Sequence, residues 1–179
     1  PGQLVPSGKA ETVISGLPDR GQHNAKSFAF GADGQLYVEV GSPSNSYGNP
    51  DRAPVTPGKP SLDPTEFLKT HGGFWRFDPD KLNQTQADGY HFSTGHRHST
   101  TIALNPVNHQ LFIAAHGRDQ LNTVAPQFFT AEDNAENPSD VFHLLKDGTN
   151  LGWPYTYWDP RAKQRKLNPE YGGDGKILA

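Results

Sequence analysis

The chain of 179 residues contains no cysteine and no methionine. Without cysteine there is no disulfide framework and no thiolate-held metal or cluster, and the redox compartment is left open. Without methionine, Pro1 reads as the start of a processed or excised piece, and no apolar run of signal-peptide kind stands near it. The longest apolar run, Leu111 to Ala115, is too short for a membrane span. Charge of either sign is not in excess: 16 Lys and Arg against 19 Asp and Glu leave −3, which makes no electrostatic case for nucleic acid or an anionic membrane. Leu, Ile, Val and Phe make up only about a fifth of the chain, the borderline of disordered composition. The small net charge and 11% aromatic content argue against disorder all the same.

What is plentiful is Gly and Pro, 19 and 16 residues, which means many turns and little room for long helices. Short strands with turn punctuation dominate. Phe28-Ala29-Phe30 and Leu36 to Val40 flank Gly31-Ala32-Asp33-Gly34, whose Asp-Gly pair signals a hairpin. Residues 41–66, rich in Ser, Pro, Gly and Asn, form a long loop. Phe74 to Phe77 alternates as a half-buried strand. Thr101 to Leu104 and Leu111 to Ile113 enclose a second turn at 105–109. A second long polar loop covers 117–139, and Val141 to Leu145 is a further strand.

These segments repeat. Phe28-Ala29-Phe30 matches Ile102-Ala103-Leu104 at an offset of 74, Leu36-Tyr37-Val38 matches Leu111-Phe112-Ile113 at 75, and Phe74 to Phe77 matches Val141 to Leu144 at 67. A repeat of strands and loops this long points to an all-β propeller of four-stranded antiparallel blades, 4–8 in a full ring. The chain holds about 2.4 such units, as one partial domain with repeats near 22–95 and 96–179. The expectation is two to three blades, a ring completed by missing blades or by self-association.

The same offset pairs His23 with Arg97 and Gln22 with His96, each just before the first strand of its unit. In a propeller that strand is innermost, so His23, Arg97 and His98 converge on one mouth of the central channel. A neutral imidazole beside a guanidinium suits a general base, because the positive neighbour disfavours imidazolium. Two readings stand at this point, a base in a site or a pair of turn caps. His116-Gly117-Arg118-Asp119 follows the second strand of the later unit. Its backbone carbonyls with acids downstream suit a hard cation such as calcium, or form a solvated turn. Glu132, Asp133, Glu136 and Asp140 make an acidic loop that either holds an ion or faces water. The eight His lack helical zinc spacing, the first turn lacks an EF-hand pattern, and Asn83-Gln84-Thr85 fits the glycosylation rule. Trp153, Tyr155, Tyr157 and Trp158 crowd six positions, either a stacking platform or a wedge between blades, the wedge being favoured.

Gly21-Gln22-His23, Phe30 to Val38, Val40-Gly41-Ser42, Asn83 to Gly89, Gly95-His96-Arg97, Gly117-Arg118-Asp119, Gly152-Trp153-Pro154-Tyr155 and Pro169 to Gly173 occur in an order that resembles the glucose/sorbosone dehydrogenase family, nearer its sorbosone-type branch. The resemblance implies a six-bladed propeller enzyme using pyrroloquinoline quinone and calcium. It implies His23 as the base that takes a sugar or polyol hydroxyl proton while hydride passes to the quinone, and Arg97 as the group opposing negative charge on the quinone oxygens. Gln22, His98 and His116 would join Arg97 around the cofactor. The carbonyls of Gly117 and Arg118, with Asp140 as a further ligand, would hold calcium. A periplasmic or secreted location is implied in the same way; the electron acceptor is not.

Departures from the family pattern are His98, where Asn is usual, Gln22, where some members carry Asp, and the lack of a counterpart to the later blades' basic residues that clamp the quinone. An isolated piece of this length is expected to have little activity. The rival readings are a non-catalytic propeller binding module and a calcium-dependent lactonase, the latter disfavoured by the His and Arg positions.

Overall fold

A computed structural model describes residues 8–19, 21–56, 59, 62–137 and 140–174. The architecture is mostly β. Strands β1 (Phe28–Phe30), β2 (Leu36–Val40), β3 (Gly73–Phe77) and β4 (Tyr90–Thr94) pair antiparallel in chain order. Strands β5 (Ser99–Leu104), β6 (Leu111–Ala115) and β7 (Val141–Leu145) repeat the plan as a second sheet. Both hairpins expected from the sequence form. In the first, Gly34 takes φ of 77°, Gly31 N–H donates to Gln35 O at 2.9 Å, and Asp33 accepts from the Tyr37 hydroxyl at 2.8 Å. In the second, Asn105 N–H donates to Gln110 O at 2.9 Å.

The expected four-stranded antiparallel blade is present in β1 to β4, and the expectation needs correction where a further strand joins it and where the second sheet has three strands. After β7 the chain returns to the edge of β4, where β8 (Thr149–Asn150) adds in parallel. The first sheet therefore has five strands and the second three. Gly148 N–H reaches Phe92 O, Leu151 N–H reaches Thr94 O and Trp153 N–H reaches Gly95 O. The open edge of β4 is thus satisfied by the later repeat, which covers an otherwise bare row of carbonyls. Strands β9 (Thr156–Asp159) and β10 (Gln164–Leu167) then pair only with each other. The described residues close no ring.

The loop 117–139 also differs from expectation, since it carries two short helices, α1 (Leu121–Val124) and α2 (Ala131–Glu136). Thr130 and Asp133 form a reciprocal cap at the start of α2, and Arg161 pairs with Asp133 at 2.6 Å. The acid at the centre of the supposed ion-holding loop is thereby a helix cap. Among the described residues no cluster of three or more His, Asp or Glu could hold a metal. The loop 41–66 contains no strand among its described residues, yet Ser42, Asn45, Ser46 and Tyr47 are buried.

Alternation along the strands produces two apolar layers. Tyr37, Phe74 and Phe92 pack with Leu111, Ile113, Leu145 and Leu151 between the two sheets. Val38, Val40, Trp75 and Phe77 pack on the other face under Ile14 and Leu17. By the period of two, Glu39 shares the face of Tyr37 and is fully buried there. No helix among the described residues is long and apolar enough to cross a membrane.

Candidate functional site

Antiparallel pairing brings the segment before β1 next to the end of β2, and the segment before β5 next to the end of β6. Because β1 and β5 are neighbours, four loop segments meet at one end of the two sheets. They deliver His23, Gly41-Ser42, Arg97-His98 and His116-Gly117.

Ser42 ties the first two units together. Its carbonyl accepts from His23 Nδ1 at 2.5 Å, and its N–H donates to Arg97 O at 2.8 Å. A carbonyl can only accept, so Nδ1 carries the proton and the neutral ring keeps its lone pair on Nε2. Nε2 makes no hydrogen bond among the described residues and is not sealed from solvent. Burial, reinforced by the Arg97 charge, lowers the His23 pKa to about 4. The ring is therefore neutral at physiological pH, with a free acceptor nitrogen.

His98 stacks on His23 with ring centroids 4.9 Å apart, and His116 continues the file 6.0 Å beyond. Gly41 permits this approach: a Cβ there would lie 2.6 Å from His23 Cβ and 2.9 Å from His98 Nδ1. His98 Nδ1 lies 3.2 Å from Glu39 Oε1, which also accepts the Ser99 N–H at 3.2 Å. Burial pushes the Glu39 carboxyl above its ordinary range, with His98 and Ser99 opposing.

Arg97 is buried. Its Nε donates to Asn45 O at 3.3 Å, and its Nη2 to Asn45 Oδ1 at 2.9 Å and Asp119 Oδ2 at 2.8 Å. Nη1 makes no hydrogen bond among the described residues and is not sealed from solvent. The Trp153 ring lies 5.9 Å from the guanidinium carbon, so the favoured wedge residue also backs the arginine. Burial raises the Asp119 pKa, but Arg97 and Arg52 outweigh it and hold the carboxyl below its usual value.

The other expected residues have different surroundings. Gln22 turns its side chain to Asp51 and Arg52, outside the imidazole file. Both ring nitrogens of His116 are engaged, Nε2 with Thr100 Oγ1 at 3.1 Å and Nδ1 with Asp140 Oδ2 at 3.3 Å. Asp140 Oδ1 accepts the Gly117 N–H at 3.0 Å, so this carboxylate braces the loop. The Arg118 side chain is buried against Glu170 and Asn168. Neither the Gly117 nor the Arg118 carbonyl accepts a hydrogen bond among the described residues. Glu39, Gly41, Asn45 and Asp119 complete the arrangement and lay outside the residue set expected for the site. Glu39 did leave a signal, a carboxylate on the apolar face of an alternating strand. Asn45 left none.

Two carbonyls without hydrogen-bond partners suit a hard cation, and a guanidinium nitrogen without one suits a planar, oxygen-rich anion. These donors are of the kinds that calcium and a quinone bearing carboxylates take, with most of a calcium ion's oxygens still to come from elsewhere.

A structure described as the calcium structure of a Trichoderma reesei carbohydrate-active enzyme of family AA12 matches with a TM-score of 0.62 and 14% identity, over 88% of this chain and 40% of that one. At that identity the match shows the fold alone. A candidate oxidoreductase (glucose dehydrogenase) from Thermus thermophilus matches with a TM-score of 0.48 and 24% identity, over 87% of this chain and 40% of that one. The chain therefore spans about two-fifths of the length of these structures. No curated protein sequence matches it. The model of the glucose/sorbosone dehydrogenase family matches residues 8–172. On that match, which takes in nearly the whole sequence, the chain belongs to the glucose/sorbosone dehydrogenase family.

Proposed function

We propose that this chain supplies the base-bearing part of a quinone- and calcium-dependent dehydrogenase acting on a sugar or polyol, within a six-bladed propeller of which these sheets are a part. The observation that supports the reading best is the tautomer of His23. Its Nδ1–H is committed to Ser42 O, burial and the Arg97 charge lower its pKa to about 4, and its Nε2 has no hydrogen-bond partner among the described residues.

The O–H proton of a substrate hydroxyl passes to Nε2 of His23. A base with so low a pKa does not keep that proton, so it returns readily to water. Arg97 places a fixed positive charge near enough to the ring to lower the His23 pKa. Asn45 and Asp119 hold its fork still, so no reorganisation is needed when negative charge develops nearby. Arg97 would hold the quinone, and the Gly117 and Arg118 carbonyls the calcium; with Nδ1 facing Glu39, a neutral His98 has no second N–H for a quinone oxygen. Bound there, the quinone supplies a two-electron, hydride-accepting centre, and calcium polarises it as a Lewis acid. The Asp140 brace and the Arg118–Glu170 pair orient the carbonyl-bearing loop. A periplasmic or secreted setting follows from family membership as part of the same proposal.

The test is dye reduction by the completed ring that contains this chain, with added quinone and calcium, across several aldoses and polyols. His23→Ala and Arg97→Ala are each expected to lower the rate at least about a hundredfold, the scale of one general base or one oxyanion donor. A wild-type rate that neither substitution changes rejects the assigned site.

A further inference from the structure

Glu39 is fully buried on the apolar face of β2, where the strand pattern calls for a hydrophobic residue. Its Oε2 has no hydrogen-bond partner among the described residues. A half-satisfied buried carboxylate is a poor structural choice, since an apolar side chain of similar volume would pack there without desolvation cost. Its Oε1 faces His98 Nδ1 across the two sheets at 3.2 Å. Lys26, whose charge also acts on Glu39, donates instead to Asn24 O at 2.7 Å. His98 is therefore the side chain that Glu39 serves.

The two stacked rings now show a common plan. His23 donates Nδ1–H to a carbonyl, and His98 is placed to donate Nδ1–H to a carboxylate. Neither Nε2 has a hydrogen-bond partner among the described residues. With centroids 4.9 Å apart, the rings lie within the reach of one sugar. An Asn at position 98 would offer a mixed donor and acceptor amide; an imidazole with a protonated Nδ1 offers an acceptor.

We propose that Glu39 is a positioning residue: by accepting the Nδ1–H of His98 it selects the tautomer whose Nε2 is an acceptor, so that His23 and His98 together receive two adjacent hydroxyls of one vicinal diol. The hydroxyl on His23 is the one that reacts, and its neighbour on His98 sets the substrate's orientation. The inference rests on the dehydrogenase reading for the role of His23, whereas the tautomer of His98 stands independently of it.

Long-range proton–nitrogen spectra of the histidine-labelled chain at about pH 8, above the histidine range, tell protonated from bare ring nitrogens. Wild type is expected to show His98 with Nδ1 protonated and Nε2 bare. Glu39→Gln, whose amide oxygen can still accept, is expected to keep that pattern and so guards against simple misfolding. Glu39→Ala is expected to shift His98 towards the Nε2–H form with amide dispersion retained. With quinone and calcium present, Glu39→Ala is also expected to weaken equilibrium binding of a vicinal-diol sugar about tenfold relative to Glu39→Gln, and to leave the corresponding monodeoxy sugar unchanged. A protonated Nε2 on wild-type His98, an unaltered tautomer in Glu39→Ala, or equal weakening for both sugars overturns the inference. The expected tautomers without binding of any polyol overturn the dehydrogenase reading and the diol contact, and keep Glu39 as the residue that positions His98.

Discussion

Asn45 and Asp119 hold each other by two reciprocal hydrogen bonds, Asn45 Nδ2–H to Asp119 O at 3.0 Å and Asp119 N–H to Asn45 Oδ1 at 3.1 Å. They join the loop after β2 to the loop after β6, and the Arg97 guanidinium lies in their grip. Asn45→Ala removes both bonds and one support of Arg97. The expected loss is about 2–3 kcal/mol of folding stability, since buried donors and acceptors are left unpaired. Urea unfolding with an unchanged slope measures it, and a loss below about 0.5 kcal/mol would show that the clasp contributes little.

Arg118 and Glu170 are both almost fully buried and meet through two parallel contacts, with Asn168 as a third partner. Glu170→Ala strands a guanidinium in the interior and is expected to destabilise by about 3–5 kcal/mol. Glu170→Gln keeps an acceptor and should lose less. Thermal melts of the two variants make the comparison; equal melting temperatures would mean that the pair carries no charge-specific role.

Short apolar runs and turn signals made β1 to β3, β5 to β7 and both hairpins legible in the sequence, and the repeat offset aligned His23 with Arg97; β4 and β8 to β10 were not read. The return of residues 148–153 to the edge of β4 was not legible, because it depends on which carbonyls another segment leaves unpaired. Nor was the commitment of Asp133 to a helix cap or of His116 to Thr100 and Asp140, since loop acids and imidazoles look alike until their neighbours are known. Glu39 violated the alternation in plain view. Its meaning required the partner at position 98, which only the packing of the two sheets supplies.

Gly41 sits where the two stacked imidazoles come closest to the backbone. A methyl group there would meet His23 Cβ at 2.6 Å, His23 O at 2.7 Å and His98 Nδ1 at 2.9 Å. The backbone oxygen cannot swing aside as a long side chain would. Gly41→Ala is therefore expected to push the rings apart and destabilise the fold by about 1–3 kcal/mol. Proton spectra should show changed ring-current shifts at His23 and His98, and dye reduction by the completed, loaded ring should fall with them. Unchanged ring shifts would mean that the close approach is not needed.

Acid stability should be governed by histidines that are buried neutral. Burial lowers His96 to about 3, helped by neighbouring His143 and His91, and lowers His23 to about 4 with the help of Arg97. In the unfolded chain each titrates near 6.5. Between these values the unfolded state binds protons that the native state refuses, so stability rises with pH in that window. It is fully present above 6.5, declines as pH falls towards 4, and stops declining on account of His23 below 4 and on account of His96 below about 3. His96 offers the cleaner test, because neither ring nitrogen has a hydrogen-bond partner and the ring meets Phe74 edge to face at 5.6 Å. His96→Phe keeps an aromatic ring there and removes both orphaned nitrogens. Its melting temperature at about pH 7 is expected to match or exceed that of wild type, and the fall between about pH 6.5 and pH 4 to be shallower. An undiminished fall would show that His96 contributes nothing to the acid transition.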